Sequence, residues 1–276
     1  MNLLKSFIRK TNLYKPLRGI YRKLNNIPTH PLLNSKTKKG MNLTYLGTEY
    51  GGWFFVDSQD LHGCTIISAG LGEDASFDVE FAQKYNAKIV IIDPTPRALN
   101  HFNEIIRNLG SPSSRAYSDG GKQPIEAYDL YGLSVENFSI IDKALWNEKT
   151  TLKFFKPNNP QSVSHSIVNF QNNYRTDTPY IEVETTTVPA LINELGVNNQ
   201  DIPLFKLDIE GAAIEVISDC LENGFFPKQI LVEFDELHKP SEKAFKRVDE
   251  IHSKLLSSGY ELVKTDGLES FIYYLS

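Results

Sequence analysis

Cysteine, tryptophan and methionine occur twice each in 276 residues, and a pair of cysteines, Cys64 and Cys220, makes neither a disulfide framework nor a thiolate metal cluster. Both stand in apolar surroundings and read as buried free thiols. No apolar run approaches the length that spans a bilayer, and no apolar segment with a small-residue cleavage site follows Met1. A cytoplasmic protein is therefore expected. Acidic residues are missing from the first forty positions. That stretch holds ten basic ones (Lys5, Arg9, Lys10, Lys15, Arg18, Arg22, Lys23, Lys36, Lys38, Lys39), and all 34 acidic residues with the other 19 basic ones follow it. The net charge of −5 thus hides an arm of +10 on a body of −15.

Apolar residues of the arm, among them Leu3, Leu4, Phe7, Ile8, Leu13, Leu17, Ile20 and Leu24, recur at roughly helical spacing among the basic ones. Two readings fit: an amphipathic helix lying on an anionic membrane surface, at the inner face of the membrane, or a helix packed on its own domain or a second subunit. Nucleic acid is not expected as a partner. Pro16 and Gly19 interrupt a single continuous helix. Residues 25–40, rich in Pro, Asn, Ser, Thr and Lys, read as a linker. The chain divides into an arm and linker over 1–40 and a domain over 41–276.

From Cys64 onward apolar strands alternate with helical patterns. Strands are expected near 64–68, 88–92, 137–141, 203–208 and 228–234, and helices near 75–85, 96–109, 122–130, 188–195, 211–223 and 241–258. Such alternation predicts a doubly wound α/β sheet, mostly parallel and covered on both faces. The runs 259–264 and 270–275 are separated by five residues, too few for a parallel crossover, so the sheet should end in an antiparallel hairpin. A short strand at 54–56 precedes the alternation. An insertion over about 144–200 adds a strand at 151–155 and an edge strand at 182–188.

The first βα turn, Ser68-Ala69-Gly70-Leu71-Gly72-Glu73-Asp74, carries the most information. An apolar strand running into Gly-x-Gly and a helix lets backbone approach a ligand at the carboxyl end of a parallel sheet. Gly70, Gly72 and Ala75 also satisfy G-x-G-x-x-A, the dinucleotide pattern of a nicotinamide-dependent dehydrogenase. Glu73 and Asp74 would repel a pyrophosphate there, whereas the sulfonium and ammonium groups of S-adenosylmethionine are cations. The second strand ends in Asp93-Pro94-Thr95-Pro96, about twenty residues on, where a carboxylate grips a nucleoside ribose. Asp93 is the expected ribose ligand, stiffened by its prolines.

Further acids gather at later strand ends. Lys206-Leu207-Asp208-Ile209-Glu210-Gly211 closes the fourth strand and Glu233-Phe234-Asp235-Glu236 the fifth, with His238 beyond. Asp208 and Glu233 are candidate general bases. Glu210 reads equally as a helix-dipole partner, and Asp235 and Glu236 as a solvated rim. Their spacing specifies no metal ligand set, and no metal is expected. In the insertion, His165 lies among the hydroxyls of Ser162, Ser164 and Ser166, placed to orient a sugar or take a proton. Trp146 reads equally as an adenine neighbour and as core.

The segments Ser68 to Asp74 with Ser76-Phe77-Asp78, Asp93-Pro94-Thr95-Pro96, Ala144-Leu145-Trp146 and, above all, Lys206 to Gly211 resemble the FkbM family of S-adenosylmethionine-dependent methyltransferases. The resemblance covers roughly residues 50–275 and implies a class I methyltransferase, Rossmann-like fold and an O-methylating activity among sugar, polysaccharide and natural-product enzymes. Taken with the residue readings above, donor contacts are expected from Ser68, Ala69, Gly70, Gly72, Glu73, Asp74, Asp93, Pro94, Thr95, Ala144 and Trp146, and help in deprotonating or orienting the acceptor from Asp208, Glu233 or His165. The family often has Glu two residues after the fourth-strand glycine; here Ala213 stands there, with Glu215 further on. The expected acceptor is a hydroxyl of a sugar in a surface glycan or its lipid-linked precursor. A small secondary metabolite as acceptor, a NAD-binding dehydrogenase and a non-catalytic binding module are the alternatives.

Overall fold

The computed structural model describes residues 27–157, 166–167, 169, 175–198, 201–238 and 240–276. The expected amphipathic helix, which falls within residues 1–26, and His165 lie outside the described residues. Residues 27–40, expected as a linker, are instead fastened to the domain. Pro31–Asn34 form one 3-10 turn capped by the His30 imidazole. His30 is buried edge-on against the Phe245 ring, 3.2 Å from the Asp249 carboxylate, and Leu33 enters the core. Burying an imidazole and a leucine outweighs the loop-like composition around them.

The elements are β1 (Leu43–Leu46), β2 (Trp53–Val56), β3 (Thr65–Ala69), α1 (Ser76–Tyr85), β4 (Lys88–Ile92), α2 (Pro96–Arg107), β5 (Phe138–Ile141), β6 (Ala144–Leu145), β7 (Thr151–Phe155), β8 (Tyr180–Thr186), α3 (Val188–Leu195), β9 (Leu204–Leu207), α4 (Ala213–Glu222), β10 (Gln229–Glu233), α5 (Glu242–Ser257), β11 (Tyr260–Thr265) and β12 (Ser270–Leu275). Local chemistry sets several boundaries. Pro96 starts α2 with its φ already helical. Thr187 and Ser241 hydroxyls cap α3 and α5 by accepting from Ala190 and Ala244 N–H, and left-handed Gly196 ends α3.

Seven strands make the main sheet in the order β5-β4-β3-β9-β10-β12-β11. The first five are parallel, and β12 runs antiparallel to both its neighbours. This is the expected mostly parallel, doubly wound sheet with an antiparallel ending. Alternate residues feed two cores: Ile67, Ala69, Phe205 and Leu207 pack under α3, α4 and α5, while Ile66, Ile89, Ile91 and Leu204 pack under α1, α2 and β2. The strand order reverses beside β3, the switch point at whose carboxyl ends open α/β sheets bind ligands. The buried Gln229 side chain accepts from Val56 N–H (2.8 Å) and donates to Val56 C=O (2.9 Å). An amide thus imitates a strand ladder and seats the β1–β2 hairpin on the sheet.

Two sequence expectations are corrected. The helix over 122–130 is a single 3-10 turn, Ile125–Ala127. Pro124 denies the preceding residue a helical conformation, and the buried Gln123 amide organises the chain before it, accepting from Ser118 N–H and donating to the Ser118 and Gly120 carbonyls. The strand over 182–188 is no edge: β8 is the middle of a three-stranded sheet, β6-β8-β7. Its alternation arises because one face covers a small core of Ala144, Phe154 and Val183.

Candidate active site

The glycine turn is built around its contacts with β9 and β4. Gly70 N–H donates to Ile92 C=O (3.0 Å), and Asp208 N–H to Ala69 C=O (2.9 Å). Gly70 has φ +88°, and a Cβ there would overlap the Asp208 carbonyl oxygen. No side chain fits. The Gly70 carbonyl, turned out of the ladder, accepts from the buried Lys206 ammonium (2.8 Å).

Asp93 sits beneath this turn. One carboxylate oxygen accepts from Leu71 and Gly72 N–H (3.0 Å each), the other from Thr95 N–H (2.8 Å) and the Thr95 hydroxyl (2.7 Å). Four bonds fill the four lone-pair positions of a carboxylate. The acid expected to grip a ribose also braces the glycine loop. Ser68 and Ala69, also expected at the donor, are strand residues closed off from solvent. Pro94 and Thr95 shape the brace.

The two acids of the turn differ. Glu73 is flanked by the Arg97 guanidinium and by the Lys122 ammonium (3.2 Å), so the negative charge expected to greet a cation is compensated. Asp74 is held by neutral donors: the Thr48 hydroxyl (2.6 Å), the Gln123 amide (3.2 Å) and Ser76 N–H (3.0 Å). It thereby joins the β1–β2 loop and the 118–123 turn to the start of α1. Thr48 N–H also donates to the Ser76 hydroxyl (2.8 Å), and a Cβ on Gly51 would lie 2.7 Å from the Asp74 carboxyl carbon. Tyr50, on this rigid loop, keeps 59% of its surface exposed. Its ring rests where a Cβ on Gly121 would have to be. Desolvation, then Asp208, Glu210, Glu233 and Asp74, push its hydroxyl up to about 12.

On the same rim, burial raises Asp208 to about 6 against the pull of Lys206, with Asp235, Asp93 and Glu269 adding to the rise. Glu233 is pushed further above its ordinary range by burial, Asp208, Glu269 and Asp235. It accepts from the Ser270 hydroxyl (3.0 Å). Asp235, expected to be solvated, is buried and accepts from Gly211 N–H (2.7 Å). That bond holds a turn in which Glu210 (φ +45°) and Gly211 (φ +93°) are both left-handed, so Glu210 precedes the helix instead of capping it. Glu236 and Glu215 both pair with Arg247 of α5 (3.1 and 2.8 Å), struts away from the turn.

His238 lies between Asp235 (3.2 Å) and Glu269 (3.3 Å). Burial pushes its pKa down, but the bonds and charges of these carboxylates prevail and lift it from 6.5 to about 11. A folded-state value raised this way gives stability that is full below pH 6.5, declines as pH rises and is gone above about 11. His238→Gln should remove that decline. Urea unfolding at successive pH values checks it: a wild type no steeper than the variant between neutrality and pH 10 would contradict the ion pairing.

Ala144 is buried in β6, and half-buried Trp146 packs against the α3–α5 core with its backbone N–H on Thr186 C=O (3.0 Å). The Ser166 hydroxyl donates to Glu210 C=O (2.8 Å), tying the insertion to the rim. Sequence reasoning missed Thr48, Tyr50, Arg97 and Gln123 and assigned no task to Lys206. Only Lys206 carried a signal, a charge in the middle of an apolar strand.

The profile of the methyltransferase FkbM domain matches residues 60–262. No curated protein matches the chain. Similar solved structures include precorrin-6y C5,15-methyltransferase from Geobacter metallireducens (11% identity, TM-score 0.37, covering 78% of this chain and 81% of that one). Others are the antibiotic-resistance methyltransferase Kmr (11%, 0.35, 84% and 100%) and M. jannaschii TYW2 in complex with AdoMet (11%, 0.30, 87% and 86%).

Proposed function

The chain belongs to the FkbM methyltransferase family and depends on S-adenosylmethionine, and from that premise we propose that it methylates a hydroxyl of a sugar in a surface glycan or its lipid-linked precursor. The observation that carries the sugar reading is Tyr50, an exposed ring beside Gly121 whose hydroxyl feels the charges of Asp208, Glu210 and Glu233. Aromatic faces pack against the apolar side of a ring while carboxylates take up its hydroxyls. The donor suits the site: the turn at Gly70 leaves no room for a side chain against β9, and the rim beyond it, with Asp208, Glu233, Asp235 and Glu269, favours a sulfonium and an ammonium group.

S-adenosylmethionine supplies an electrophilic methyl group bound to a positive sulfur. The braced loop from Gly70 to Asp74 would hold it, and Asp208 would accept the proton of the acceptor hydroxyl. Asp208, raised by burial to about 6, is ionised at neutral pH and can take the proton, with Glu233, raised by burial and its neighbouring carboxylates, beside it on the rim. Asp208→Asn should keep donor binding and lose transfer by roughly a hundredfold or more. Radiolabelled methyl transfer into glycan and lipid-linked sugar extracts, with mass spectrometry of glycans from a strain lacking the gene, tests the reading. Label entering only small metabolites, with no glycan missing a methyl group, would refute it.

The arm is proposed to bring the enzyme to an anionic membrane where lipid-linked sugars reside. Among the described residues no helix is long and apolar enough to cross a membrane. Because residues 27–40 pack on the domain, deletion should stop at residue 26, which removes seven basic residues. Each contributes about 1 kcal/mol near such a surface. Sedimentation with anionic vesicles should be lost and donor binding kept. A deletion that instead weakens donor binding or splits a dimer would make the arm a packing element.

A further inference from the structure

Lys206 stands where a parallel sheet normally buries an apolar residue. In register it lies between Ser68 of β3 and Leu231 of β10, beneath α1, with its ammonium 5.7 Å from the centre of the Trp53 ring. Only about 3% of its surface is exposed. A cation taken out of water costs several kcal/mol unless partners replace the solvent. Here the Gly70 carbonyl accepts from it at 2.8 Å, and two carboxylates feel its charge: Asp78, wholly buried in the first turn of α1, and Asp208. These partners belong to different parts of the site. Gly70 is the donor turn, Asp208 the proton acceptor, and Asp78 the helix that follows the turn.

We infer that Lys206 is a positioning residue that couples the donor turn to the proton acceptor, one buried ammonium holding the Gly70 carbonyl while it offsets the charge of Asp208. The groups that face Asp208 are Lys206 on β9, Glu233 and Asp235 at the end of β10, Asp93 after β4, Glu269 before β12 and Tyr50 on the β1–β2 loop. Lys206 lowers the proton affinity of Asp208 against burial and the carboxylates around it. It therefore favours the ionised form of Asp208 as well as tightening the turn. The inference rests on the reading of Asp208 as proton acceptor and is independent of which compound carries the hydroxyl.

The test is Lys206→Met in the full chain, read by calorimetry with S-adenosylmethionine and by carboxyl NMR titration, with Asp208→Asn assigning the Asp208 resonance. Donor affinity should fall roughly tenfold to a hundredfold, the loss of one hydrogen bond from a charged donor. The Asp208 midpoint should move to higher pH. A purely structural lysine would lower stability and leave that midpoint in place. Should an uncompensated Asp78 prevent folding, Lys206→Met with Asp78→Asn removes both buried charges and predicts the same two changes. Donor affinity within twofold of wild type in a folded variant, or an unmoved midpoint, would overturn the inference.

Discussion

Gly70→Ala is expected to abolish donor binding and to cost about 3 to 5 kcal/mol of stability, a large part of what a domain has. Its Cβ would be placed on the Asp208 carbonyl oxygen. Relief by movement is blocked on both sides: Asp208 N–H is bonded to Ala69 C=O, Gly70 N–H to Ile92 C=O, and the Gly70 carbonyl to Lys206. Separating β9 from β3 would break the bonds that form the site. Left-handed strain alone accounts for about 1 to 2 kcal/mol. Gly110 and Gly132 supply the control, since both have similar positive φ angles and a Cβ added to either would meet nothing within 4 Å. Gly110→Ala should cost only the left-handed strain, about 1 to 2 kcal/mol. If Gly70→Ala melts with it and still binds S-adenosylmethionine, the close approach of β9 is not what the glycine serves.

Asp93→Asn should lower donor affinity and intrinsic stability together, by about 2 to 3 kcal/mol each. The carboxylate accepts four hydrogen bonds and donates none. Whichever way an asparagine amide turns, its NH2 faces N–H donors, on Leu71 and Gly72 or on Thr95, and leaves them unpaired in a buried site. Thermal unfolding without donor separates the possibilities. A ribose ligand would lose binding at unchanged melting temperature; a brace loses both. An unchanged melt would return Asp93 to the ribose.

Sequence reasoning reached the positions of these two residues and stopped short of their hydrogen bonds. That Asp93 ends a strand and Gly70 begins a turn follows from apolar runs meeting proline and glycine, and the same local signals placed β4, α3 and the final hairpin. Which way the carboxylate faces depends on the path of the Gly70 turn, and that path is pressed into shape by a carbonyl 138 residues later in the chain, at Asp208. No local window contains that contact. Glu73 was read as free negative charge for a similar reason, because its compensating Arg97 and Lys122 come from α2 and from a loop beyond it. The expected helix over 122–130 failed through a buried side chain, Gln123, whose polar atoms replace the backbone bonds a helix would have supplied. Tyr50 was passed over because an aromatic in a glycine-rich loop looks ordinary until the fold sets it beside Gly121 and the carboxylates of other strand ends.

The position of β12 between β10 and β11 also governs when the enzyme comes into being during its own synthesis. While the ribosome is still making the β11–β12 segment, β10 is an open parallel edge, a surface on which chaperones and neighbouring nascent chains compete. Ser270, the partner of Glu233, and Glu269, a partner of His238, emerge only with that strand. The donor turn can assemble on β3, β4 and β9 while β12 is still in the exit tunnel, yet the acids opposite it remain unordered. A ribosome stalled before residue 270 therefore carries a chain that has the strands of the glycine turn and lacks the Ser270 partner of Glu233.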